Sequence, residues 1–98
     1  MTVMDDFRAS LSGDAPPPDA NLPLQALWWA GKGDWDRAHG CAQQGEGDQA
    51  SDWVHAHLHR QEGDLANARY WYRRAGRDVP ETALTEEWAA IAAELLSK

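Results

Sequence analysis

Between residue 22 and the last residues of the chain, apolar positions recur at the three-to-four-residue spacing of helices, and no five-residue run alternates as a strand would. Asn21 is a capping residue ahead of a helix that carries Leu24, Leu27 and Trp28 on one side and runs to Gly31. "GKGD" (31–34) is a stop followed by a new cap. It opens a second helix over 34–44, with Trp35, Ala38 and Ala42 at helical spacing. "GEGD" (45–48) precedes a third helix over 49–62, and the "GD" at 63–64 precedes a fourth over 65–76. Pro80 suits a first helical turn, and Leu84, Trp88, Ile91 and Leu95 make the core stripe of a fifth helix. Glu81, Glu86 and Glu87 favour the start of that helix through its dipole. Connections of two to four residues force neighbours antiparallel. The expected fold is therefore all-α, antiparallel helical hairpins with about five core helices over 22–98. Ahead of them, Val3, Phe7 and Leu11 fit a short amphipathic helix, and "SGDAPPPDAN" (12–21) reads as a proline-rich linker. Residues 1–21 are expected to form a flexible arm.

Composition narrows the function classes. A chain of 98 residues has room for one domain and one modest core. Its net charge of −7 and pI of about 4.8 argue against general binding to nucleic acid or to anionic membranes. Cys41 is the single cysteine, so there is no internal disulfide and no four-cysteine zinc frame. The acidic opening "MTVMDDFRAS" lacks a signal pattern, and no apolar run approaches the roughly 18 residues of a membrane span. A cytoplasmic protein is expected. Six tryptophans exceed what five short helices bury easily. Trp28 and Trp29 point about 100° apart on a helix, so an exposed one would mark a face for homodimerisation.

"GDWDRA" (33–38) and "GDLANA" (63–68) are the same device 30 residues apart. A glycine ends one helix, an aspartate caps the next, an apolar residue follows, and alanine permits close helix contact. The device resembles the turn of a tetratricopeptide-type hairpin. Gly63, Asp64, Leu65, Ala68, Tyr72, Ala75 and Pro80 follow that repeat's spacing, and Gly33, Asp34, Trp35 and Ala38 form a partial first copy. The resemblance covers about 22–80. It implies stacked helical hairpins whose groove holds a peptide or partner protein, and it implies no catalytic residue. Residues 53–76 also resemble a segment of small microbial proteins, which lends no residue role.

"HAHLHR" (55–60) sets three histidines in five residues. At about 100° per residue, His57 shares the apolar arc of Trp53, Val54 and Leu58, and reads as a packed residue. His55 and His59 lie together on another side of the helix. A His-x-x-x-His pair can share one metal ion, with Asp52 or Glu62 supplying an oxygen and His39 a third nitrogen if the helices bring it near. Position 56 is alanine, so the general base of a His-Glu-x-x-His site is absent. The plainer reading is that both histidines hydrogen-bond neighbouring carboxylates or tyrosines and tie helices together.

Arg69, Arg73 and Arg77 fall at i, i+4 and i+8, with Tyr70 at the edge of the stripe. Residues 60–77 carry five arginines against Glu62 and Asp64, or +3, which leaves −10 on the rest of a chain at −7. Such a stripe can grip a carboxylate or phosphate, or pair with the chain's own acids such as Asp48, Asp52, Glu86 and Glu87. Asn67 is placed to hydrogen-bond back across the Asp64 turn. The expected function is an interaction module without cofactor. It would bind a protein, a peptide or a small anionic ligand through His55, His59, Glu62, Asn67, Arg69, Tyr70, Arg73 and Arg77. A small metal-binding or acid–base enzyme using His55 and His59 is the alternative, and a self-associating structural protein the third reading.

Overall fold

The computed structural model describes residues 2–97; Met1 and Lys98, at the outer ends of the two segments expected above, lie outside the described residues. Among these the fold is all-α: α1 (Val3–Ser10), α2 (Leu22–Gly31), α3 (Trp35–Gln44), α4 (Gln49–Gln61), α5 (Leu65–Ala75) and α6 (Leu84–Leu96). The capping reading is realised nearly residue for residue. The side chains of Asn21, Asp34, Asp48 and Asp64 accept hydrogen bonds from the backbone N–H groups of Leu24, Arg37, Ser51 and Asn67. Each satisfies a donor that a helix start leaves orphaned.

The two "GD" turns are conformational copies. Gly33 and Gly63 take φ of 82° and 89°, left-handed values open to glycine at little strain. Asp34 N–H donates to the Trp29 carbonyl at 3.0 Å, and Asp64 N–H to the His59 carbonyl at 2.9 Å. The repeat visible in the sequence is thus a repeat of turn geometry. The most extensive pairings are α4 with α5 and α2 with α3, the partners joined by these turns.

α4 is the centre, packing against α2, α3, α5 and α6. Every residue from Ser51 to His59 is buried. Alanines carry the close approaches: Ala38, Ala42, Ala56 and Ala75 have no exposed surface. At the α3–α4 turn a Cβ on Gly45 would collide with Ser51 Oγ and sit 2.8 Å from Ser51 Cβ. Rotating the serine relieves the first contact but not the second. Gly45→Ala should therefore destabilise the protein by about 1–3 kcal/mol through overpacking, measurable as a lower midpoint in urea unfolding.

Two expectations need correction. Residues 2–21 do not stand off as a free arm. α1 lies against α6, Phe7 is 4% exposed and stacks on Trp88, and the Trp28 indole N–H donates to Ser10 Oγ at 3.0 Å. Lys32 Nζ donates to the carbonyls of Leu11 and Gly13, holding the end of α1. Of the apolar positions spaced every four residues, Phe7 is covered by Trp88 and Leu11 is half-buried, while Val3 stays 61% exposed. The last helix begins at Leu84, after an Ala83 N-cap, rather than near Pro80. Arg60 donates to the Thr82 carbonyl, which a helix would use internally, and holds this stretch as a loop against α4.

No tryptophan falls among the exposed large apolar residues, so the exposed ring expected to mark a self-association face is not found. Trp29 is half-buried, with the Arg37 guanidinium 4.6 Å from its ring centre. Among the described residues no helix is long and apolar enough to cross a membrane.

Candidate functional site

The start of α3 is pinned to the end of α4, because the Trp35 indole N–H donates to the Leu58 carbonyl at 2.8 Å. One turn along α3, on the same face, His39 stacks on Trp35 with ring centres 4.6 Å apart. That placement puts His39 against the i, i+4 pair on α4. Its ring centre is 4.7 Å from that of His55 and 5.3 Å from that of His59, and His55 and His59 are 4.9 Å apart. One nitrogen from each of the three lies within 4.8 Å of the other two. Nitrogens around a tetrahedral zinc ion at 2.0–2.1 Å stand about 3.4 Å apart, so small ring rotations would close the set.

The surroundings are asymmetric. His59 Nδ1 is 2.7 Å from Glu62 Oε2. A carboxylate on one ring nitrogen fixes the tautomer and leaves Nε2 free as a ligand atom, the usual outer shell of a histidine–metal bond. His55 Nδ1 is buried without a hydrogen-bond partner among the described residues, an expensive condition for a polar atom. The His55 ring stacks on Trp71 of α5 at 3.8 Å, and the Arg74 guanidinium lies 4.8 Å from the centre of the Trp71 ring. Burial, the two neighbouring imidazoles and Arg74 lower the pKa of His55 to about 3. Burial and His59 also lower that of His39, against the pull of Glu62 and Asp36. Both rings are neutral at neutral pH, the form that coordinates metal.

The other residues expected at the site divide. Glu62 is at His59, as expected of a carboxylate near the pair. Asp52 is buried, but its carboxylate accepts from Gly47 N–H and lies 3.9 Å from Arg74 Nε, so it belongs to the start of α4 and not to the trio. Asn67 gives its backbone N–H to Asp64, and this turn contact is its part in the Asp64 cap. Tyr70 is 48% exposed and accepts from Arg74. Arg69 and Arg73 are exposed and make no ion pair among the described residues. Arg77 has left the stripe. α5 ends at Ala75 with Gly76 in a left-handed cap, and Arg77 turns onto Trp53 at 3.8 Å and donates to Glu94. The structure therefore brings His39, His55, His59 and Glu62 together and leaves the arginine stripe broken.

A polar cluster lies elsewhere on α4, built on Glu87, one of the acids expected to pair with an arginine, but with two partners, His57 and Tyr72, that the sequence does not suggest. Glu87 is 3% exposed. Its Oε1 is 2.7 Å from His57 Nδ1 and accepts from Arg60 at 3.0 Å, while its Oε2 accepts from the Tyr72 hydroxyl. Burial pushes the Tyr72 phenol far above its ordinary value, and Glu87 adds to the push. His57 thus has a specific buried partner and is more than a packed residue of the apolar arc.

Compared with known protein families, with curated proteins and with solved structures, the chain has no match.

Proposed function

We propose that this protein is a small metal-binding helical protein that holds a divalent transition ion between α3 and α4 through His39, His55 and His59. The observation that carries the reading is the convergence of three imidazole nitrogens within 4.8 Å, from two helices, with two of the rings buried. The unpartnered Nδ1 of His55 and the carboxylate on His59 support it. An all-imidazole donor set suits zinc, copper(II), nickel or cobalt better than magnesium or calcium, which prefer oxygen. Cys41, half-buried with its thiol pKa raised by burial, stands outside the set.

Zinc added to the metal-free protein is expected to stabilise it by about 2.7 kcal/mol when the free ion is a hundredfold above Kd, seen as a rise in Tm. The ring signals of His39, His55 and His59 should shift together in NMR spectra. His39 is half-buried at the edge of the set, so His39→Ala should remain folded and lose most of the zinc response. Zinc that leaves both Tm and the histidine signals unmoved would sink the reading.

A second reading, a partner-binding surface of the helical-repeat kind, is supported by Arg69, Tyr70 and Arg73. They stand exposed along α5, the two arginines without a counter-ion among the described residues. A peptide or protein bearing carboxylates would complement them. Arg73→Glu that folds normally yet binds an acidic peptide as well as the parent chain does would count against it.

A further inference from the structure

A second recess shares no residue with the histidine trio. A cavity of about 500 Å³ opens where the ends of α1 and α2 meet the start of α6. Leu11 and Trp88 give it an apolar wall, and Arg8 and Lys32 bring two cations to it. No acidic side chain lines it, although the chain carries 16 acids against nine lysines and arginines.

Two further features converge there. The first is the start of α6. The other five helices each have a side chain accepting from their first turn, but Ala83 offers none to α6. Leu84 and Thr85, the first residues of this 13-residue helix, line the cavity. N–H groups in a helix's first turn have no intrahelical partner and favour negative charge. The second is His57, which is 2% exposed and also lines the cavity. Its Nδ1 is taken by Glu87, and its Nε2 makes no hydrogen bond among the described residues. Glu87 itself is held by Arg60 and Tyr72, so the nearest buried negative charge is already engaged.

We propose that this cavity binds a small organic anion, a carboxylate carried on an apolar body. The carboxylate lies toward the uncapped start of α6 and Arg8, the apolar body lies against Leu11 and Trp88, and His57 Nε2 supplies the buried polar contact. Two cations and no acid among the lining residues favour an anion over a cation, and the apolar wall favours an organic anion over a bare one.

Benzoate is a suitable probe, with benzyl alcohol as its uncharged counterpart and inorganic phosphate as an anion without an apolar body. Benzoate should produce saturable NMR shifts at the Leu84 and Thr85 amides and the Trp88 indole, and neither control should match its affinity. Arg8 is exposed and makes no ion pair among the described residues, so Arg8→Glu should fold normally and weaken benzoate binding about tenfold. Equal binding of benzyl alcohol would overturn the anion assignment, and equal binding of phosphate the apolar body. No saturable shift with benzoate, or unchanged affinity in Arg8→Glu, would overturn the site itself.

Discussion

Glu87→Ala is expected to remove about 3–5 kcal/mol of stability. This carboxylate is 3% exposed and joins three helices, accepting from Arg60 of α4 and Tyr72 of α5 and meeting His57 of α4 across from its own place on α6. Removing it leaves a buried phenol and an imidazole without their acceptor, and strands most of the Arg60 charge. A domain stable by only about 5–15 kcal/mol loses a large part of that margin, measurable by urea unfolding followed by circular dichroism. Glu87→Gln keeps the shape and one acceptor oxygen and should cost less. Acid provides a separate check. Burial opposes the charged form of Glu87, but the hydrogen bonds from His57, Tyr72 and Arg60 outweigh it and hold the carboxyl below its ordinary value of 4.5. A depressed pKa means that the unfolded chain binds the proton more readily. The contribution is full above about 4.5 and is lost as pH falls through the folded value. The stability curve of Glu87→Gln should be flatter than the parent's over that acid range. An identical acid limb would contradict the assignment.

Trp28→Ala should cost about 3–5 kcal/mol as well, by a different route. The ring has no exposed surface, packs edge-on to Trp29 with centres 4.9 Å apart, and donates its indole N–H to Ser10. The substitution opens a cavity in α2 and removes the polar tie to α1. Trp28→Phe keeps most of the buried area and loses the Ser10 bond, for which about 1 kcal/mol beyond the packing change is expected. Detachment of α1 would appear as new proteolytic sensitivity in residues 11–20 of the alanine variant. Stability within 1 kcal/mol of the parent would mean that α2 does not anchor the core as described.

The helices were legible because their punctuation is local. Asp34, Asp48 and Asp64 cap from their own sequence neighbourhood, and Gly33 and Gly63 need only their own φ. The site was legible in part. His55 and His59 share a face by spacing alone, but His39 joins them only because Trp35 reaches the Leu58 carbonyl, a contact between helices that spacing does not encode. Arg77 was misplaced because the stripe assumed a helix beyond Ala75, where Gly76 turns the chain. The sequence reads Glu87 as a helix-dipole residue and as one of the acids able to pair with the arginines, and it does pair with Arg60, but its burial is not part of that reading. The signal for its burial was present: Glu87, Ile91 and Leu95 follow one another at i, i+4, i+8 along α6, all three buried, while Leu84 of the expected stripe is 36% exposed. His57, a polar residue inside an apolar arc, required a buried partner of this kind.

The complete burial of α4 from Ser51 to His59 has a consequence for how an ion would enter. Two of the three imidazoles ride on the helix that every core neighbour holds in place, so their positions are set before any metal arrives. The remaining adjustment would fall to His39, whose ring is half-buried on a helix pinned to α4 through Trp35. In the proposed site the trio would then pair two fixed rings with one more accessible ring. Metal affinity would then be tuned by substitutions in α3 that contact no metal, because they set where His39 stands relative to the fixed pair.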